Sequence, residues 1–259
     1  MKFDLRIVHA VALLAAVSFA VSAPAADKKN QAKAVPAQAV DSGSFGIFVK
    51  GARVATETFS IQQQADSSVV KAQVKQTVGS DPVSQKSDLE MTASGALIRY
   101  EWSQSSGGSL TVAPNNEFLL EKISTPSSSK PTPSSSKPTE KPFLMPASSP
   151  ILDNNFFVHR EVLIWRYLAA ACKPEGGSLK CQQDPGDFGV LVPQDETSEH
   201  VRMELVGKEK IQVRGTDREL MRLNLKGDDF DWALWVDEQD HFKLIRVAIP
   251  ADNTEVVRD

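Results

Sequence analysis

The chain contains little cysteine and little histidine, with 2 Cys and 4 His among its 259 residues. Two thiols exclude a disulfide-dense small scaffold and a Cys-rich zinc module. A surplus of basic residues is also missing, because 29 Lys and Arg stand against 33 Asp and Glu, giving a formal net charge of −4. Dedicated nucleic-acid binders usually carry a positive surplus. The composition therefore predicts no nucleic-acid partner.

Sequence signatures of nucleotide binding and covalent catalysis are absent as well. The chain has no Gly-x-Ser-x-Gly, no Gly-x-x-x-x-Gly-Lys, no Gly-x-Gly-x-x-Gly and no His-Glu-x-x-His. Asp228, Asp229 and Asp231 resemble a fragment of a calcium loop, but the glycine and the distal glutamate of an EF-hand loop are missing. We therefore predict no cofactor, no metal ion and no catalytic residue from motifs.

The first residues have the pattern of a secretory signal. Lys2 and Arg6 precede an apolar run at 7–21, and small residues follow at 22–26. The apolar run, of about 15 residues, is shorter than the roughly 20 that span a bilayer, and no other segment is long and apolar enough. We predict a signal peptide at 1–25 and a periplasmic or secreted protein that keeps no transmembrane anchor after cleavage.

The two cysteines are consistent with export. Cys172 and Cys181 enclose a short loop that contains Pro174, Gly176 and Gly177, and such a pair forms a disulfide in an oxidising compartment. Closing so short a loop stabilises the fold by about 2.5–3 kcal/mol. The alternative of a redox-active pair lacks the Cys-x-x-Cys spacing.

The rest of the chain divides into segments of different composition. Residues 26–40 are polar and Ala-rich and predict a flexible lead-in. Residues 41–259 predict a single β-rich domain, interrupted at 124–150 by a Ser/Pro-rich insert with a tandem seven-residue repeat. The insert has few apolar side chains and is predicted to be disordered, as a spacer. A glycosylated tract or a docking segment for an aromatic groove is the alternative.

One helix stands out among alternating segments that are typical of strands. It is predicted from Asp153 or Asn154 to Ala171, with Asp153 as its cap and with a broad apolar face. Strands separated by short turns indicate antiparallel pairing. The predicted class is α+β, mostly β, with one strongly curved antiparallel sheet, similar to a half-barrel, packed on a single long helix.

Two groups of side chains are candidates for a site. His159, His200 and His241 lie outside the signal, and His159 has Glu161 two residues further on. Residues i and i+2 of a helix point apart, so this pair favours a surface or capping position over proton transfer. Trp232 and Trp235 fall on opposite faces of one strand, which is either buried on both faces or part of an apolar hollow. The predicted lining of such a hollow consists of Trp102, Phe157, Trp165, Trp232 and Trp235.

Two terminal hairpins carry a resemblance to a known group. Residues 43–47 with 51–61, and residues 231–239 with 244–247, resemble the first and last hairpins of exported bacterial families of unknown function. These families are similar to lipoprotein-carrier half-barrels. The resemblance implies a bent antiparallel sheet around a helix, with an apolar hollow that holds acyl chains. Ala55 stands where the group commonly has glycine, and the Ser/Pro insert is foreign to the pattern. The group has no defined catalytic set.

Three functions follow as hypotheses. The first is an exported non-enzymatic protein that binds an apolar small molecule or lipid, or a cell-envelope protein. The second is a small periplasmic hydrolase or metal-dependent enzyme, which requires His159, His200 and His241 to converge on one point with nearby carboxylates. The third, a structural role in the envelope, is not separable from the first by sequence.

Overall fold

The structure is a computed structural model that describes residues 37–77, 82–125, 138–175, 178–182 and 184–259. Within these ranges the chain forms sixteen strands and one α-helix, α1 (Val158–Ala171). The strands are β1 (Gln38–Val49), β2 (Ala52–Gln63), β3 (Ser67–Gln76), β4 (Ser84–Thr92), β5 (Leu97–Gln104), β6 (Ser109–Asn115), β7 (Phe118–Ser124), β8 (Thr139–Phe143), β9 (Cys172–Glu175), β10 (Ser178–Cys181), β11 (Gly186–Val192), β12 (Thr197–Val213), β13 (Thr216–Lys226), β14 (Asp231–Asp237), β15 (Lys243–Ile249) and β16 (Thr254–Arg258).

Fourteen of these strands form one antiparallel sheet. Its order is β11-β12-β13-β14-β15-β16-β1-β2-β3-β4-β5-β6-β7-β8. The sheet therefore consists of two meanders, β1–β8 and β11–β16, which are joined where β16 pairs with β1. The sheet is open, since β11 and β8 are its two edges. The prediction of a mostly β protein with one antiparallel sheet and a single helix is confirmed.

Short turns explain why neighbouring strands pair antiparallel. Lys50 and Gly51, between β1 and β2, have φ of 51° and 80°, and Arg214 and Gly215, between β12 and β13, have φ of 51° and 79°. Two consecutive residues with positive φ form the tight hairpin turn that matches the twist of paired strands. The sequence predicts hairpin turns at 50–53 and at 215–217, and the observed turns lie at the start of the first range and begin one residue before the second.

Helix α1 contacts both meanders, and its surroundings explain its burial. Glu57 of β2 accepts hydrogen bonds at its start, Trp165 donates to the carbonyl of Phe242 at 3.0 Å, and Arg166 donates to the carbonyl of Gly95 at 3.4 Å. Eight of its residues are buried, including three polar ones. A helix that is apolar on most of its circumference is expected inside a fold rather than on its surface. No helix of the described ranges is long and apolar enough to cross a membrane.

The helix begins later than predicted. It starts at Val158, with Phe157 as the residue before it, and Asp153 makes no cap. Asp153 instead accepts the N–H of Asn155 at 2.7 Å and the hydroxyl of Tyr100. The predicted start was wrong because the capping acceptor comes from a distant strand, and local sequence carries no sign of it.

The predicted boundaries of the two flexible segments were also wrong in part. Residues 38–40, the last of the lead-in predicted at 26–40, belong to β1, and residues 26–36 lie outside the described residues. In the insert predicted at 124–150, Thr139–Phe143 forms β8 beside β7, and Phe143 and Met145 are buried in the core. These two apolar side chains hold the described end of the insert against the core. Residues 126–137, with most of the repeat, and the signal predicted at 1–25 lie outside the described residues.

Two further strand features differ from the prediction. The segments 200–206 and 208–214, which the alternation of the sequence predicts as two strands, are joined in the single long strand β12, with a register shift between Leu205 and Gly207. Gly207 has φ of 137°, a conformation that side chains disfavour and that is typical of a bulge. Strand β16 was not predicted, although it joins the two meanders.

The disulfide between Cys172 and Cys181 is confirmed. The two residues face each other at the open end of the β9–β10 hairpin, directly after α1. The bond therefore fixes the chain where it leaves the helix. No free cysteine occurs in the described part of the chain.

Candidate functional site

An apolar hollow of about 480 Å³ lies between α1 and strands of the first meander. We call it the helix hollow. On the sheet side it is lined by Ile61, Leu89, Met91 and Leu97, and Ile151, which forms an isolated bridge with Leu191, also belongs to the lining. Cavities of roughly 300–1,000 Å³ with mainly apolar walls are typical of small-molecule sites. The volume and lining therefore suit a ligand with an apolar body.

The helix contributes one face to this hollow. Its lining residues recur at the spacing of a single helical face, and they are His159, Val162, Leu163, Arg166 and Ala170, with Trp165 and Ala169 beside them. Ala169 and Ala170 are exposed, whereas His159 and Leu163 are buried. The hollow therefore opens to solvent near the end of α1 and runs inward toward its start.

His159 forms part of the wall and is 1% exposed. Its ring lies 5.7 Å from that of Tyr100, edge to face, and 5.8 Å from that of Phe156. Both ring nitrogens are buried and have no hydrogen-bond partner within the described residues. Burial, together with the charge of Arg160, lowers the pKa of His159 to about 3. At neutral pH this side chain is therefore uncharged.

Arg166 is half-buried at the same wall. Its Nη1 donates to the carbonyl of Gly95 at 3.4 Å, and no carboxylate of the described ranges forms an ion pair with it. Burial lowers the pKa of the guanidinium from its usual 12.5. A guanidinium nevertheless stays protonated in proteins, so this group brings a positive charge to the hollow.

The start of α1 is held by a carboxyl group from the sheet. Glu57 of β2 is fully buried, and its two oxygens accept the backbone N–H of Phe157 at 2.7 Å and that of Val158 at 3.1 Å. The first N–H groups of a helix lack partners within the helix, so Glu57 satisfies two of them. Burial raises the pKa of Glu57 to about 8, although both N–H groups and the charge of Arg160 oppose this rise.

Arg160, also fully buried, secures the turn that precedes the helix. Its Nη1 donates to the carbonyls of Asp153 and, at 2.8 Å, of Phe156, and its guanidinium lies 4.8 Å from the ring of Trp232. The carboxyl of Asp153 accepts hydrogen bonds from Tyr100 and Gln194. Burial raises the pKa of Asp153, and these hydrogen bonds oppose the rise.

A second buried group holds the other side of the helix. Oε2 of Glu161 accepts the N–H of Leu244 at 3.1 Å and Nη1 of Arg258 at 3.2 Å, while Asp41 accepts Nη2 of Arg258 at 2.6 Å. Burial and the adjacent Asp41 raise the pKa of Glu161 to about 9. Burial alone would raise the pKa of Asp41, but hydrogen bonds from Glu161 and Arg258 lower it. Glu161 therefore keeps its proton while Asp41 carries the charge.

The five predicted lining residues are not brought to one place. Trp165 lines the helix hollow. Phe157 and Trp232 line a separate hollow of about 540 Å³ near the start of α1. Trp102 lies at a groove of about 650 Å³ and donates to Oε1 of Gln85 at 3.1 Å. Trp235 belongs to a small apolar cluster apart from the main core, whereas Trp232 packs against the main core. The two tryptophans thus lie on opposite faces as predicted, and the ligand-binding role of all five stays a prediction.

The three histidines do not converge. His159 is buried in α1, whereas the side chain of His200 is 68% exposed on β12 and His241 is exposed in the turn after β14. The convergence that the second hypothesis, a hydrolase or metal-dependent enzyme, requires of these histidines is therefore contradicted. In the described ranges no group of three or more His, Cys, Asp or Glu side chains is arranged to hold a metal ion.

Sequence reasoning missed the polar groups that surround the helix. Glu57, Arg160 and Arg258 were not singled out, and His159 was expected at the surface. A usable signal was present, because the predicted helix carries large apolar residues on nearly all sides, including Phe157, Leu163 and Ile164. A helix of this kind is central in its fold, so its charged residues are buried and need partners.

Comparisons with known proteins give one structural similarity. The chain matches no protein-family model and no curated protein sequence. It is similar to a solved structure described as a beta-barrel-like protein of domain of unknown function DUF1849 from Brucella abortus. The sequence identity is 7% and the TM-score 0.47, over 87% of this chain and 95% of that chain. This similarity assigns no ligand, partner or residue role.

Proposed function

We propose that this is an exported, non-enzymatic binding protein whose half-barrel-like sheet curves around α1 and holds an apolar ligand in the helix hollow. The observation that carries the proposal is the hollow itself, about 480 Å³ in volume, lined by apolar side chains of α1 and the first meander. Its exposed end at Ala169 and Ala170 offers an entrance.

The energetics favour an apolar occupant. Apolar surface removed from water contributes roughly 25 cal/mol per Å², and apolar cavities accept apolar guests more readily than water. Two contacts hold the helix wall of the hollow in place. Glu57 accepts a hydrogen bond at the start of α1, and Trp165 donates one to a carbonyl of the β14–β15 turn, so the site is preformed. A preformed site binds without a large ordering cost.

Export is part of the proposal and rests on two features. The sequence of residues 1–25 predicts a signal peptide, and the Cys172–Cys181 disulfide is compatible with an oxidising compartment. The cell-envelope partner stays a prediction beside the apolar ligand.

A bulky side chain at the entrance tests this proposal. In Ala169→Trp the indole narrows the opening, so we expect at least about tenfold weaker binding of the neutral apolar dye Nile red, on the scale of 1.4 kcal/mol per tenfold. The readout is a fluorescence titration of the mature protein.

The matched control is Ala52→Trp, which adds the same indole at an exposed position outside the hollow. It should bind the dye as the unsubstituted protein does. Equal binding by both variants, each shown to be folded by circular dichroism, would rule out the helix hollow as the site.

A further inference from the structure

The walls of the helix hollow carry a single ionised side chain among the described lining residues, Arg166. His159 is uncharged at neutral pH. The other polar groups of the lining are neutral hydroxyls and amides, at Gln63, Ser68, Thr92, Ser94 and Ser149. The chain as a whole has a net charge of −4, so this local positive charge differs in sign from the whole molecule.

Arg166 has no carboxylate partner among the described residues, unlike three other arginines of the chain. Arg258 pairs with Asp41 at 2.6 Å, Arg218 with Asp237 at 2.5 Å and Arg53 with Asp259 at 2.5 Å. Arg166 has one long hydrogen bond to a carbonyl and forms no ion pair with the described residues. Partial burial removes some of the hydration of the guanidinium, and an anionic partner would offset that loss. The planar guanidinium suits carboxylate and phosphate oxygens.

The position of Arg166 relative to the apolar wall gives the orientation of the ligand. Arg166 and His159 lie on one face of α1, seven residues apart, which corresponds to about 10 Å along the helix axis. Between them this face presents Val162 and Leu163, and Leu89 and Leu97 lie across the hollow. Arg166 is near the open end, and His159 is at the buried end.

We infer that the ligand is a single-chain amphiphile with one anionic group, a carboxylate or a phosphate, which pairs with Arg166 while the hydrocarbon chain runs inward toward His159. This inference rests on the proposed function, since it names the ligand class of the same hollow. The neutral ring of His159 presents no charge to the end of the chain. A cationic amphiphile is disfavoured because it would meet the unpaired guanidinium of Arg166.

Displacement of Nile red by matched amphiphiles tests the inference. The ligands are decanoate, decyl phosphate and decanol, and the proteins are the full mature chain, Arg166→Met, Arg166→Lys and Arg202→Met. Arg202 is an exposed arginine of β12 outside the hollow, so its variant makes the same charge change elsewhere. A charge-assisted hydrogen bond predicts that the better anion binds about tenfold or more tightly than the alcohol.

Arg166→Met should abolish this preference and leave the affinity for the alcohol within about threefold. Arg166→Lys should restore part of it, and Arg202→Met should retain all of it. The ranking of decanoate against decyl phosphate identifies the head group. Equal affinity for anions and alcohol, or a preference that survives Arg166→Met, would overturn this inference and leave the proposed function standing. Failure of all three amphiphiles and of Nile red to bind would overturn both.

Discussion

Replacement of Glu57 by alanine is expected to lower the free energy of unfolding by about 3–6 kcal/mol. The change removes the acceptors of two buried N–H groups, those of Phe157 and Val158, and leaves a cavity at the helix start. Each buried donor left unpaired costs about 1–3 kcal/mol. Since domains are typically stable by about 5–15 kcal/mol, the loss is a large share of the total. Urea denaturation at constant pH measures it.

Two variants show whether the hydrogen bonds are responsible. Glu57→Gln keeps one acceptor oxygen and fills the same space, so it should lose about half as much stability as Glu57→Ala. Glu219→Ala removes an exposed strand glutamate from β13 and should change stability by less than about 0.5 kcal/mol. If Glu57→Ala were as mild as Glu219→Ala, Glu57 would not hold the start of α1.

The stability of the protein should be greatest near about pH 5 and should fall toward alkaline pH. Folded Glu57 keeps its proton to about pH 8, whereas the unfolded chain releases it near 4.5. The contribution of this group is therefore complete below pH 4.5 and is lost as the pH rises through 8. Glu161, with a pKa of about 9, acts in the same direction. For Glu57 alone the loss is on the order of 5 kcal/mol.

His159 lowers the stability of the protein on the acidic side of the maximum. Its pKa falls from 6.5 to about 3 on folding. Between these two pH values the unfolded chain therefore binds a proton at this residue, and the folded protein does not. Stability from this group is present above pH 6.5 and is lost as the pH falls toward 3. Between pH 4.5 and 6.5, a rise in pH lowers stability through Glu57 and Glu161 and raises it through His159. Because two groups act against one, the stability maximum lies near the lower pH.

Urea titrations from pH 4 to pH 9 measure this profile, with Glu57→Gln as the control. Because glutamine has no proton to release, the stability gap between the unsubstituted protein and this variant should narrow as the pH rises from 5 to 9. Parallel profiles for the two proteins would contradict the raised pKa of Glu57.

Much of the sheet follows from sequence because its causes are local. The alternation of Val70, Ala72 and Val74 predicts a strand with one buried face, and Lys50-Gly51 predicts a tight turn. The disulfide follows from two cysteines around a short loop. Strand β16 is different, since its place beside β1 depends on a pairing across most of the chain, with Phe45 opposite Arg258. No pattern within residues 254–258 indicates it.

The position and lining of the hollow could be predicted only in small part from the sequence. A resemblance and two tryptophans on opposite faces of one strand predict a ligand site, and one of the five aromatic residues named, Trp165, lines the helix hollow. The hollow depends instead on which face of α1 meets which strands, and that is set by the long-range partners Glu57, Leu244 and Arg258. The sequence does not mark Arg166 as a ligand-binding residue, because an arginine in a helix is ordinarily a solvated side chain. Its proposed role depends on the apolar hollow around it.

Native mass spectrometry of the protein, purified from its own cells without detergent, tests the role of the helix hollow most directly. We expect a non-covalent adduct of an amphiphile on the unsubstituted protein and on Ala52→Trp, and a much reduced adduct on Ala169→Trp. A protein that carries no bound molecule, or an adduct that Ala169→Trp retains in full, would contradict ligand binding in the helix hollow.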